Sequence, residues 1–228
     1  MKPIKILFAS IPFDGHFNPL TGLALYLKNC GHDVRWYTQS IYQTKISKLG
    51  LHHYPFKRCL QYNQGNLDDI FPERLRYNGQ IKRLNVDLVN AFVNRAPEFF
   101  EDISEINKTF PFDVMIADVM FTAIPMVVEK LKKPVLTVGI IPLVESSKDV
   151  APSGLGLPPA SGYFDKLKYG ILHFLSDKLL FRESNNTYRK VLARYGIHVK
   201  GNTMDFLVKD LHIFFKVELR GLNISAVI

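Results

Sequence analysis

The sequence predicts an α/β fold: a doubly wound, mostly parallel Rossmann-like sheet with helices on both faces. Three observations predict it. Short, continuous apolar runs bounded by turn residues recur through the first 140 residues. Segments with helical periodicity alternate with them. The first three elements read β-α-β, a unit whose strands run parallel and whose crossover is right-handed.

The elements follow in order. KILFAS (5–10) is a short apolar run of the kind a buried parallel strand uses. In NPLTGLALYLKNCG, Leu20, Leu23, Ala24 and Leu27 fall at helical spacing. Asn18 is expected to cap this helix, Pro19 to suit its first turn and Gly31 its stop. DVRWYT (33–38) is rich in β-formers and reads as the second strand. A helix is expected over 40–49, a short strand in LHHYPF and a long loop over 60–80. Ile81, Leu84, Leu88, Phe92, Phe99 and Ile103 predict one helical segment over 81–106. DVMIAD (113–118) is a strand, FTAIPMVVEKLK a helix and PVLTVGI (134–140) a further strand. The proline- and glycine-rich stretch 141–162 reads as a long loop. An apolar helical stripe follows in 166–181, read as packing rather than a membrane-surface helix, and 187–197 is a helix ending at Gly196.

Composition narrows the functional classes. With 47% hydrophobic and 22% charged residues, the 228-residue chain has the make-up of a globular protein with a real core. Two cysteines, Cys30 and Cys59, define neither a disulfide framework nor a metal site, so a cytoplasmic protein without metal is expected. The apolar run at the N-terminus is too short for a signal peptide and is broken by Pro12 and Asp14. No stretch reaches the apolar length of a membrane span, so stable membrane insertion is not expected. The net charge of +8 is spread along the chain without a nucleic-acid motif, and no nucleic-acid partner is expected. That charge can still help to draw in an anionic substrate. His52 and His53 are adjacent on a strand and point to opposite faces, and GLGL (154–157) lacks the spacing of a phosphate loop.

The chemistry sits at the strand ends. In an open parallel sheet, ligands bind beyond the carboxyl ends of the strands. His16 lies a few residues past the first strand, and Asp118 ends DVMIAD. A buried carboxylate hydrogen-bonded to an imidazole fixes its tautomer and stabilises the cation formed when it takes a proton. Aimed at a hydroxyl, such a pair is a general base. A histidine that merely caps the helix behind it is the alternative from spacing alone. Asp14 can likewise cap the helix or contact a ligand, and the cap is the expected role.

The residues also carry a family resemblance. IPFDGHFNPLTGLALYLKNCGHDVRWYT, with its G-H-x-x-P core and later GHDV, resembles the opening of family 1 glycosyltransferases, nucleotide-sugar-dependent enzymes of the two-domain GT-B fold. FDVMIADVMFTAIP resembles the segment that carries the aspartate paired with the family's catalytic histidine. PLVESSKDVAPSGLGLPP resembles a loop of bacterial members close to those acting on macrolides. The resemblance covers most of residues 4–212, with the three segments in the expected order. It implies one half of a GT-B fold and hexosyl transfer with inversion. His16 would deprotonate the acceptor hydroxyl, with Asp118 orienting it. It implies an apolar, hydroxyl-bearing small-molecule acceptor, and no cofactor beyond a nucleotide-sugar co-substrate such as UDP-glucose. Phe13, Phe17, Phe92, Met120, Phe121 and Pro142, near the expected strand ends, are the candidate acceptor-lining residues.

Nothing in the chain resembles the family's donor-binding motifs, so residues 1–212 are expected to form an acceptor-binding domain without its C-terminal donor-binding domain. After DLHIFF the chain reads KVELRGLNISAVI, where bacterial relatives are expected to continue with a segment resembling LQSGTxGFEYxRSDL. Codons for RGLNISAVI, read from the third base of each, can spell G-F-E-Y-Q-R-S-D, and Lys216 to Leu219 can yield S-G-T. The expectation is a frameshift near Phe214–Lys216, with residues 213–228 an out-of-frame or disordered tail. The chain is then expected to be inactive alone. A split enzyme with a separate donor-domain chain and a non-catalytic small-molecule binder remain the alternatives.

Overall fold

A computed structural model of the chain describes residues 2–139, 149–152, 156–176 and 181–199. The expected tail over 213–228 lies outside the described residues, as do residues 141–148 of the expected loop. Five strands form one parallel sheet: β1 (Lys5–Ala9), β2 (Asp33–Thr38), β3 (His52–Pro55), β4 (Val114–Asp118) and β5 (Val135–Val138). Their order is β3-β2-β1-β4-β5. The chain winds outward from β1 through β2 to β3, then returns to lay β4 on the other side of β1. The expected doubly wound α/β architecture is thus present, and its topological switch point lies between β1 and β4.

Side-chain alternation divides the core between the two faces. Leu7, Ala9, Tyr37, Met115, Ala117 and Val135 point to one side. They meet α5 (Ala96–Thr109), the short α6 (Ile124–Met126) and α8 (Arg182–Ala193). Ile6, Phe8, Val34, Trp36 and Ile116 point to the other, against α1 (Asp14–Asn29) and α2 (Gln43–Lys48). Near-continuous apolar runs are therefore what these strands require, because both faces are covered.

Several boundaries differ from expectation for identifiable reasons. Helix α1 starts at Asp14, not at Asn18; Phe13 is its extended N-terminal residue, and no side chain caps it. Pro19 lies inside the helix, where its fixed φ is acceptable but its missing N–H leaves the Gly15 carbonyl without the usual helical donor. The earlier start makes His16 part of the helix's first turn. Asp14, in the same turn, pairs with Lys45 at 2.9 Å, and that ammonium holds its carboxyl below the usual range.

The expected loop over 60–80 contains the single turn α3 (Leu67–Ile70) and a 3-10 turn, Pro72–Arg76. The expected helix over 81–106 is broken. It runs as α4 (Gln80–Asp87), a π-helical turn (Leu88–Phe92), a 3-10 turn (Val93–Arg95) and α5. The segment after β4 is also shorter than expected, with α6 followed by a π-helical turn, Val127–Leu131. Helix α7 (Tyr163–Leu175) lies on its own preceding segment: the Tyr169 hydroxyl donates to Pro158 O, and Lys166 pairs with Asp149. Tyr163, Phe164, Leu167, Ile171 and Phe174 stay exposed along its other side. Helix α8 is followed by Gly196, whose φ of +68° is the left-handed geometry that ends helices at glycine. No helix among the described residues is long and apolar enough to cross a membrane.

One buried carboxylate ties α5 to the sheet. Asp102 accepts hydrogen bonds from the Tyr37 hydroxyl (2.8 Å), Lys57 N–H (2.9 Å) and Arg58 N–H (3.0 Å). Burial, reinforced by the neighbouring Cys59 and Asp102, holds the Tyr37 phenol well above the usual tyrosine range, so it stays a donor. Asp102→Ala strands the buried Tyr37 hydroxyl at about 1–3 kcal/mol, while the part-buried Lys57 and Arg58 N–H groups can turn to water at a smaller cost. The expected outcome is a loss of roughly 2–4 kcal/mol, read as a lower denaturant midpoint with an unchanged slope.

Candidate functional site

The β1–β4 register fixes the site. Ala9 lies opposite Ala117, which sets the carboxyl ends of the two strands side by side. The chain leaving β1 turns into α1 within four residues, and Asp118 is the last residue of β4. His16, on the first turn of α1, is thereby carried back over the end of β4. Its Nδ1 lies 3.0 Å from Asp118 Oδ1.

Asp118 is fully buried, and its acceptor capacity is well used. Oδ2 takes the Ile11 N–H at 3.1 Å, and Oδ1 takes the Met120 N–H at 2.9 Å as well as the imidazole. Backbone donors from the loops after β1 and β4 thus orient the carboxylate before it meets the ring. A carboxylate only accepts, so facing one a neutral His16 ring would donate from Nδ1 and keep its lone pair on Nε2. The His16 side chain retains 16% of its exposure, against 0% for Asp118. The pair therefore offers a buried orienting anion and a base that can reach a ligand.

Aromatic rings surround the base. Phe13 stacks on Phe92 with centroids 5.8 Å apart and meets Tyr62 edge-on at 6.0 Å. The His16 ring lies 6.0 Å from Phe13 and edge-to-face with Phe92 at 6.3 Å. Phe13 and Phe92 are partly buried, while Met120 is nearly covered. Phe13 and Phe92 thus lie beside the His16 ring, while Met120 meets the pair through its backbone N–H on Asp118.

The other candidates are placed differently. Phe17 is buried on the far face of the sheet, stacked on Tyr42 at 4.2 Å and beside Trp36 at 4.6 Å. Helix α1 turns about 100° between residues 16 and 17, so the neighbour of an open histidine points into the core. Phe121 is also core, stacked on Phe99 at 4.8 Å beneath the loop after β4. Pro142 lies outside the described residues.

Sequence reasoning missed Tyr62 and Thr122, which hold backbone carbonyls beside Phe92. Pro97 was the available signal, because a proline removes the N–H that the carbonyl four residues earlier would use.

The sequence matches no known family profile. It is 30% identical over 193 residues to the 4'-demethylrebeccamycin synthase of Lentzea aerocolonigenes, a match that covers 85% of this chain and 46% of the relative. It is 25% identical over 151 residues to the UDP-glucosyltransferase B1 of Starmerella bombicola, covering 62% of this chain and 34% of that one. The fold is similar to the crystal structure of the glycotransferase of kitacinnamycin, with a TM-score of 0.60 and 14% identity over 90% of this chain and 44% of the other. The described sheet thus matches part of the fold of the GT-B glycosyltransferase class. The chain is a relative of the natural-product glycosyltransferases within it, and it spans under half the length of the curated relatives it matches.

The tautomer is directly measurable. Nitrogen-15 spectra of the His16 ring are expected to show a protonated Nδ1 and a bare Nε2. Asp118→Ala removes the acceptor, and the hydrogen is then expected to be shared between the two ring nitrogens. An unchanged pattern in the variant would mean that Asp118 does not set the tautomer.

Proposed function

We propose that the chain is the acceptor-binding half, residues 1–212, of an inverting hexosyltransferase that uses a nucleotide sugar such as UDP-glucose. The observation that carries this reading is the His16–Asp118 pair at the β1–β4 switch point, its partly exposed imidazole beside the Phe13 and Phe92 rings. An apolar acceptor packs its body against those rings and presents a hydroxyl to Nε2. Phe17 and Phe121 support the wall from within the core. The unpaired thiols of Cys30 and Cys59 fit a cytoplasmic setting.

The proposed reaction is a single displacement. Nε2 takes the hydroxyl proton as the acceptor oxygen attacks the anomeric carbon from the face opposite the leaving group. One carbon–oxygen bond forms while the bond to the nucleoside diphosphate breaks, so the configuration inverts. The diphosphate leaves with the electron pair. Asp118 stabilises the imidazolium that results, without taking its proton. Orienting both reactants is a large part of the rate enhancement, so turnover requires a donor-binding half, in the same chain or a separate one.

Two measurements check the reading. The chain is mixed with the donor-binding half of a relative, a nucleotide sugar and a panel of apolar aglycones, and the product is followed by mass spectrometry. His16→Ala is expected to lower transfer by roughly 10²–10⁴-fold, the range general-base catalysis supplies. Transfer that survives this substitution at full rate would remove His16 from the mechanism. Aglycone binding to the chain alone is expected to weaken in Phe13→Ala, by about 1 kcal/mol if the lost contact is one aromatic pair. Binding that ignores Phe13 would place the acceptor elsewhere.

A further inference from the structure

We propose that Tyr62 and Thr122 are positioning residues for the base: by holding a broken turn of helix at Ala91–Phe92, they set the Phe92 ring against the His16 imidazole. The inference rests on the reading of His16 as the base.

The break begins with Pro97, which has no N–H to give the Val93 carbonyl. The Ala96 N–H turns to Val93 O instead, closing a 3-10 turn. In a regular helix that N–H would have gone to Phe92 O. Phe92 itself sits at φ −116° and ψ −66°, where the π-helical turn meets the 3-10 turn.

Side chains from two other segments take the carbonyls at the break. The Thr122 hydroxyl donates to Phe92 O at 2.7 Å, and the Tyr62 hydroxyl donates to Ala91 O. Thr122 is itself anchored, because its own carbonyl accepts the Tyr188 hydroxyl at 2.8 Å from α8. Tyr62 is fully buried, and desolvation raises its phenol well above the usual range, so it stays a donor. The loop after β4 carries both Asp118's backbone donor at Met120 and the Thr122 hydroxyl, two residues apart. The same loop therefore orients the carboxylate behind the imidazole and the ring beside it. A π-helical turn of this kind is frequent at functional sites, and here its consequence is specific. An unbroken helix would rotate Phe92 away from the position it holds.

Nuclear magnetic resonance of the full chain tests this, with histidines labelled and the His16 signal assigned by its loss in His16→Gln. Thr122→Val and Tyr62→Phe each delete one hydroxyl and keep the side-chain shape, and the deleted hydroxyls donate to Phe92 O and Ala91 O rather than to His16 or Asp118. Both are expected to move the His16 ring resonance and its titration midpoint toward the values seen in Phe92→Leu. Thr122→Ser, which keeps the hydroxyl, is expected to restore the native values. If one deletion fails to fold, the other carries the comparison together with Thr122→Ser. A His16 resonance and midpoint that stay native in the folded hydroxyl deletions, while Phe92→Leu shifts them, would overturn the proposal. Failure of the base reading shows separately, as transfer that survives His16→Ala whatever the resonances do.

Discussion

The parallel pairing of β1 with β4 is the constraint on which the site depends. It joins segments more than a hundred residues apart and brings their carboxyl ends to one edge, where α1 can reach over. Register matters as much as adjacency. Side chains alternate along a strand, so a slip of one residue in β4 would turn Asp118 to the face opposite α1. The apolar alternation of Met115, Ile116 and Ala117, each locked into its own core cluster, is what prevents that slip. The chemistry is therefore positioned by packing residues that take no part in it.

Comparison of two buried carboxylates sharpens what makes one of them a functional candidate. Asp102 and Asp118 are both nearly or fully inaccessible, and each collects two backbone N–H groups and one side chain. Asp102's side-chain partner is a phenol buried on every side, and the result is a tie between sheet, loop and helix. Asp118's partner is an imidazole that keeps part of its exposure. Burial and hydrogen bonding alone do not separate structure from function here. What differs is whether the partner can pass a proton onward.

Much of this was legible in the sequence. The strands announced themselves as short apolar runs because both faces of the sheet are covered, and a parallel sheet leaves no polar face to blur the pattern. His16 and Asp118 were legible because strand ends at a switch point are where such a fold places its ligands. The start of α1 was not, since Asn18 and Pro19 imitate a helix opening while Phe13 starts the helix with no capping side chain. Phe17 and Phe121 were misplaced in the cleft for a related reason. Closeness in sequence to a strand end says nothing of azimuth, and one step along a helix exchanges cleft for core. The break at Leu88–Arg95 was hidden because its apolar residues keep nearly helical spacing; only Pro97 hinted at it.

On the reading proposed above, the partial exposure of His16 has a further consequence. A base open enough to meet an acceptor is also open to water, and an activated water would hydrolyse the sugar donor. The Phe13 and Phe92 rings protect one flank, and an apolar acceptor seated on them displaces solvent from the same place. Such protection exists only while the acceptor is bound. Selectivity for transfer over hydrolysis then depends on the acceptor completing the wall before the donor arrives, and the fit of the acceptor to these two rings governs fidelity as well as affinity.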